Sequence, residues 1–424
     1  MINSWELSNG AKLVVEDIDY LRSAAIGVYI KVGSRHENPG LMGASHLIEH
    51  MLFKGTPSLT ARDIAEKLEG MGGQLNAYTG KEYTCVYART LDEDIFEAMD
   101  IVFDMLFNSC MSPQDLDTER EVVMEEINTY EDTPDELIHD VFARQYWAGH
   151  PMGNPILGSL ESVGNMDREA MIDYYRSCYV PSNMVIAVAG NVENLKVRDY
   201  LEDKLKGQTG SVCGLADTEP GENSPFITLV PKEVEQIQIC LGVPGLSYLD
   251  DERYTQTVLN SILGAGMSSR LFQRLREELG LAYSVYSYPA TYSDTGLFSI
   301  YIGTSRSKVA QFCAVLNEEI ERFVVQGVTA DEILRTQKLT KSSIAMSLES
   351  AMNRMTRLGK TMLMYDRIIS PEEVIAKISQ VTPEMVQALA ARLLRPELFA
   401  IAAIGDENAL PQVETEYKKW WGHK

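Results

Sequence analysis

The chain has 424 residues, with 38 Lys and Arg against 61 Asp and Glu, giving a formal net charge of −23. That balance supplies no basic face for phosphate and argues against nucleic acid as a partner. With 45% apolar and 23% charged residues the composition is globular rather than disordered, and at about 150 residues per domain the length allows two or three domains.

The first segment, MINSWELSNGAKLVVED, has neither the basic start and apolar stretch of a secretory leader nor the Arg/Ser-rich pattern of an organelle transit peptide. No uninterrupted apolar run of about 18 residues occurs anywhere, so a cytoplasmic protein without membrane contact is expected. The six cysteines are scattered without a CxxC pair and read as free, mostly buried thiols. The acidic balance fits solubility first, and it would also attract basic substrates.

Ala24 to Ser34 alternates like a strand. Leu41 to Lys54 lacks Pro and is followed by Gly55-Thr56-Pro57, which predicts a helix with a sharp stop. Within it lies HLIEH. Residues i and i+4 share a helix face, so His46 and His50 can present two imidazoles to one ion, with Glu49 beside them. The Gly72-Gly73 turn and the alternation after it predict an edge strand. Ser112 to Tyr130 then reads as a helix opened by Ser-Pro, with an apolar stripe through Val122, Val123 and Ile127. Glu119 and Glu126 fall on that stripe, where an acid is costly unless paired or ligated. Glu126 is therefore the candidate third metal ligand and Glu119 a carboxylate that orients a ligand His. Glu121 and Glu125 point away from it. EGMGGQLNAY fails as a phosphate loop, because a helix precedes it and a strand follows. His139 and His150 read as structural or loop residues.

NMVIAVAGN closes a first repeat, and the Gly-, Pro- and Ser-rich stretch 206–225 reads as a linker. The order of elements then recurs at a period of about 215 residues, with NMDREAMIDYYRSCYVPSNMVIAVAG matching QVTPEMVQALAARLLRPELFAIAAIG and Gly190 falling over Gly405. Two domains of like α+β fold follow: 1–205, carrying the metal motif, and 226–424, which lacks it.

HLIEH, followed 76 positions after His50 by Glu126 in EREVVMEE, resembles the inverted zinc motif of the pitrilysin and insulin-degrading-enzyme peptidases. The two-repeat length is similar to the mitochondrial-processing-peptidase branch and its bacterial homologues. GGQLNAYTGKEYT and RLREELGLAYSVYSY extend the likeness over nearly the whole chain. The resemblance implies domains built from a mixed or antiparallel sheet with helices on one side. It also implies one zinc per chain on His46, His50 and Glu126, with Glu49 as general base and Glu119 in support. Asn76 and Ala77 would contact the peptide backbone on the strand Gln74 to Thr79, and Arg276 and Tyr283 would hold substrate and oxyanion. A zinc endopeptidase acting on extended peptides is the expected function. A homodimer is expected too, with Arg276 and Tyr283 of one chain completing the other chain's site. The competing reading is a catalytically silent scaffold subunit of the same fold; a metal-storage protein would call for closed or Cys-rich sites.

Overall fold

The alternating segments form eleven strands in two sheets in a computed structural model, which describes residues 1–212, 219–221 and 224–421. The strands are β1 (Ile2–Glu6), β2 (Lys12–Asp17), β3 (Ser23–Ile30), β4 (Gln74–Thr79), β5 (Thr84–Leu91), β6 (Met184–Gly190), β7 (Ile227–Pro231), β8 (Ile237–Pro244), β9 (Ser284–Thr291), β10 (Gly296–Thr304) and β11 (Ala400–Gly405). The first sheet has the order β1-β2-β6-β3-β5-β4 and the second β7-β11-β8-β10-β9. Apart from β1, the two orders correspond strand for strand. In each sheet one pair is parallel, β2 with β6 and β7 with β11, and the other pairings are antiparallel. The repeat is thus a repeat of topology, and β6 and β11, ending at Gly190 and Gly405, occupy equivalent places.

The central strands are apolar on both faces. In β2, Leu13 and Val15 enter one core cluster while Val14 enters another; in β3, Ile26 and Val28 part from Ala25 and Tyr29 in the same way. Side chains alternate along a strand, so such a sequence needs cover on both sides. One face of the first sheet is covered by helices of its own half, among them α1 (Ala44–Leu52), α2 (Ala61–Gly70), α3 (Ile95–Asn108) and α4 (Pro113–Glu131). The other face is covered by the helix Ala351–Tyr365, through Ala351, Met355, Leu358 and Met362. A Cβ on Gly359 would lie 2.1 Å from the Tyr29 ring, so only glycine permits that close approach. Correspondingly, α5 (Pro134–Tyr146) packs Ile138 and Phe142 against Cys240, Ala402 and Ile404 of the second sheet.

Helices therefore cover both faces of each sheet rather than one. The chain forms two compact units, each taking most of one half of the sequence and a segment of the other. The first comprises Met1–Thr129, Asn154–Thr218 and Ala345–Ile369, and the second Tyr130–Gly153, Glu219–Ile344 and Ser370–Lys424. Among the described residues, Cys85, Cys178, Cys240 and Cys313 are buried free thiols and Cys110 is an exposed one; Cys213 lies outside the described residues. No described helix is long and apolar enough to cross a membrane.

Candidate metal centre

α1 places His46 and His50 on one face, with ring centroids 4.7 Å apart. α4 opens at Ser112, whose hydroxyl accepts from Asp115 N–H, and runs long enough to carry both Glu119 and Glu126. Its buried stripe is Leu116, Glu119, Val123 and Ile127. Val122 departs from the expected stripe and is exposed, because five residues, about 500°, separate it from Ile127 and turn it to another face. Glu126 is also more open than expected, with its side chain 44% exposed, whereas Glu119 is buried.

One ligand atom each from His46, His50 and Glu126 lies within 4.8 Å of the others. Glu126 Oε2 is 3.8 Å from His46 Nε2 and 3.6 Å from His50 Nε2. Those separations are too long for hydrogen bonds, and they approach the roughly 3.3–3.5 Å between ligand atoms arranged tetrahedrally at zinc bond lengths. Burial, with a contribution from His50, pushes His46 down to about 4, which keeps its imidazole neutral and its lone pair available at pH 7. His50 turns its Nδ1 to Glu119 Oε2 at 3.0 Å, leaving Nε2 toward Glu126. Lys54 pairs with the other Glu119 oxygen. Two imidazoles and a carboxylate form a donor set that fits zinc.

Glu49 stands outside this triad. Its Oε2 accepts from the Thr79 hydroxyl, while Oε1 has no hydrogen-bond partner among the described residues. Burial raises its pKa, against the Thr79 hydrogen bond and the His50 charge, and Glu126 adds to the rise. Thr79 ends β4, which is the edge strand of the first sheet. Asn76 and Ala77 lie within β4, paired with Tyr87 and Val86 of β5, and Asn76 Oδ1 accepts from Ala77 N–H at 2.8 Å. Arg276 and Tyr283 belong to the other unit. Arg276 lies in the π-helical segment Phe272–Glu278, its guanidinium 5.8 Å from the Tyr283 ring centre and 4.8 Å from that of Phe272. Tyr283, just before β9, is 74% exposed.

Two family models match the chain: insulinase (peptidase family M16) over residues 12–160 and the peptidase M16 inactive domain over residues 165–340. An uncharacterized zinc protease of Bacillus subtilis, YmxG, is 40% identical over 414 residues, covering 97% of this chain and all of that protein. The chain belongs to peptidase family M16. An uncharacterized zinc protease of Streptomyces coelicolor is 39% identical over 412 residues, covering 95% of this chain and 90% of its own. The M16 fold is shared with a Pseudomonas fluorescens structure described as a peptidase M16 inactive domain, at TM-score 0.89 and 19% identity, covering 96% of this chain and 98% of that one. A Helicobacter pylori protease matches at TM-score 0.87 and 18% identity, covering 96% and 99%.

The insulinase match spans every residue of the candidate centre, from His46 to Glu126. Within this M16 chain three contacts of the centre were not anticipated from the sequence. Lys54 stands four positions after His50, a spacing that could have flagged it. Thr79 falls on the predicted edge strand, but no local pattern ties it to Glu49. Glu37 reaches the start of α1 from a loop, and burial lifts it to about 7 against donation from Ser45 and Gly43 N–H. His139 and His150 lie outside the first unit; His139 faces Tyr288 and Tyr286 hydroxyls at 2.6 and 3.2 Å.

Proposed function

We propose that the chain is a zinc-dependent endopeptidase that cleaves extended peptides. The observation that carries this reading is the separation of roles on α1: His46 and His50 turn to Glu126, while Glu49 is held by Thr79 with one oxygen open. A purely structural metal site has no use for an unligated acid at its edge. Zinc held by His46, His50 and Glu126 would supply Lewis acidity and lower the pKa of water. Glu49 Oε1 takes the proton of the attacking water and returns it to the leaving amine, and Thr79 fixes the orientation of that carboxylate throughout. Glu119 fixes the His50 ring, and Lys54 balances the Glu119 charge.

The edge of β4 offers unpaired main-chain groups to which a peptide can add as a further strand. Beside it, Phe53, Ile64, Ala65, Leu68 and Leu75 line a cavity of about 630 Å³. Pairing through backbone reads extension rather than sequence, so the cavity supplies the preference: a basic peptide with one large apolar side chain fits best. Mass-spectrometric mapping of fragments from such a peptide tests this, with cuts expected beside the apolar residue. Equal cutting of the peptide with that residue changed to Asp would refute the preference.

We also propose a cytoplasmic homodimer in which Arg276 and Tyr283 of one chain complete the other chain's centre, the exposed Tyr283 hydroxyl donating to the developing oxyanion. Mixing Glu49→Gln with Tyr283→Phe chains is then expected to restore activity in mixed dimers, to about a quarter of wild type if chains pair at random and each intact centre acts alone. No recovery in confirmed mixed dimers would refute completion in trans.

A further inference from the structure

α1 begins on Gly43, whose φ of 91° and tight surroundings exclude a side chain: a Cβ there would lie 2.8 Å from Leu157 O. As the N-cap residue Gly43 has no side chain to accept from the first turn, yet the first N–H groups of a helix have no partner within it. Ala44 N–H reaches Leu41 O at 2.9 Å. Gly43 and Ser45 N–H both donate to one carboxylate from outside the helix, reaching Glu37 Oε2 and Oε1 at 2.8 Å each. Glu37 is 2% exposed, so no solvent competes for those bonds.

The loop that carries Glu37 is itself fastened to the turn between β4 and β5. Ser34 N–H donates to Gly80 O at 3.2 Å, Arg35 N–H donates to Lys81 O at 2.8 Å, and Arg35 Nη1 pairs with Glu82 Oε1 at 2.8 Å. The loop thus touches both parts of the centre: the helix that presents His46, Glu49 and His50, and the hairpin whose first strand is the peptide-binding edge and ends in Thr79.

We propose that Glu37 is a positioning residue: its two hydrogen bonds to the first turn of α1, together with the Arg35–Glu82 anchor, fix the metal helix against the β4–β5 hairpin. This rests on the zinc-peptidase reading and adds a residue to it. Ser45 adjoins His46, so slack at the first turn displaces both imidazoles and Glu49 together, and reacting groups misplaced by as little as about 1 Å lose much of their rate. The bidentate geometry is specific. Glutamine has the same size but one acceptor oxygen, and its amide NH₂ would oppose the second N–H.

The test uses the full chain with Glu37→Gln, at pH 8, above the value near 7 to which burial lifts Glu37. Zinc affinity is read by competition with a chromogenic chelator, the visible spectrum is read with cobalt in place of zinc, and kcat and KM are read on the basic peptide. Zinc Kd is expected to rise about tenfold, within the range for outer partners of metal sites. The cobalt bands are expected to shift, and kcat to fall about tenfold with KM within about twofold. Glu37→Asp keeps both oxygens on a shorter arm and is expected to fall between; if the Gln variant does not fold, the Asp variant carries the same readouts, with Kd raised at least about threefold. A folded variant with lower thermal stability but wild-type Kd, spectrum and kcat would overturn the proposal and leave Glu37 a structural cap. Wild type that takes up no zinc would instead overturn the metal-site reading, and this inference with it.

Discussion

Glu49→Gln is expected to lower kcat by about 10²–10⁴-fold, the span typical of a lost general acid–base group, while leaving one zinc per chain. The separation of effects follows from geometry. Glutamine at position 49 still offers an oxygen to the Thr79 hydroxyl, so the side chain keeps its place, and the triad His46, His50 and Glu126 does not include it. What disappears is the carboxylate that exchanges a proton. Activity measured beside metal content by mass spectrometry checks this; a Glu49→Gln variant with full zinc and wild-type kcat would remove Glu49 from the chemistry.

Glu126→Gln is expected to act on metal first. Glu126 Oε2 faces both His46 Nε2 and His50 Nε2, and it brings the only negative charge in the triad. A neutral amide is a far weaker ligand than a carboxylate for a hard or borderline cation. Zinc affinity should fall by more than the roughly 10–100-fold typical of outer partners, and activity should vanish with it at limiting zinc. Glu119→Gln should fall inside that range, because it loosens the His50 ring without removing a donor. Retention of stoichiometric zinc by Glu126→Gln under a competing chelator would exclude Glu126 as a ligand.

How much of this was legible in the sequence depended on distance along the chain. His46 and His50 were visible because one helical turn relates them, and Glu119 and Glu126 because two turns do. The period placed Glu119 correctly in the buried stripe, yet overstated the burial of Glu126 and Val122: a stripe drawn by hydrophobic residues alone does not fix the width of the face a neighbour covers. β4 was legible as an edge from its Gly-Gly turn and alternation. The cover on the second face of each sheet was not. Runs such as AAIGVYI declare that both faces are apolar, but not that the helix supplying the cover lies some 330 residues away, as Met355 does from Ala25 and Tyr29. Thr79 escaped for a related reason: it serves α1 through a hydrogen bond to Glu49, 30 residues away, where no periodicity operates. Glu37 is only 6 and 8 residues from Gly43 and Ser45, but it lies in a loop, outside any periodic pattern.

The duplication shows where sequence was free to change. β6 and β11 hold equivalent interior places and end on matching glycines, so the strand pattern was kept. The second copy has no counterpart of HLIEH, and its segment 272–283 carries Arg276 and Tyr283 instead. The strand topology is common to both halves, while the helix segment HLIEH, with His46, Leu47 and Ile48 buried, belongs to the first alone.

Hydrolysis of peptide bonds with a metal held by His46, His50 and Glu126 is the activity we propose for this chain. Its most direct test is to strip the protein with a chelator, restore zinc in steps, and follow by mass spectrometry both the metal bound and the fragments of an unstructured basic peptide of about 20 residues, long enough to lie along an edge strand. No fragments are expected without metal, and cleavage is expected to rise with occupancy to one zinc per chain. Full occupancy without cleavage, or cleavage undiminished in the stripped protein, would contradict that proposal.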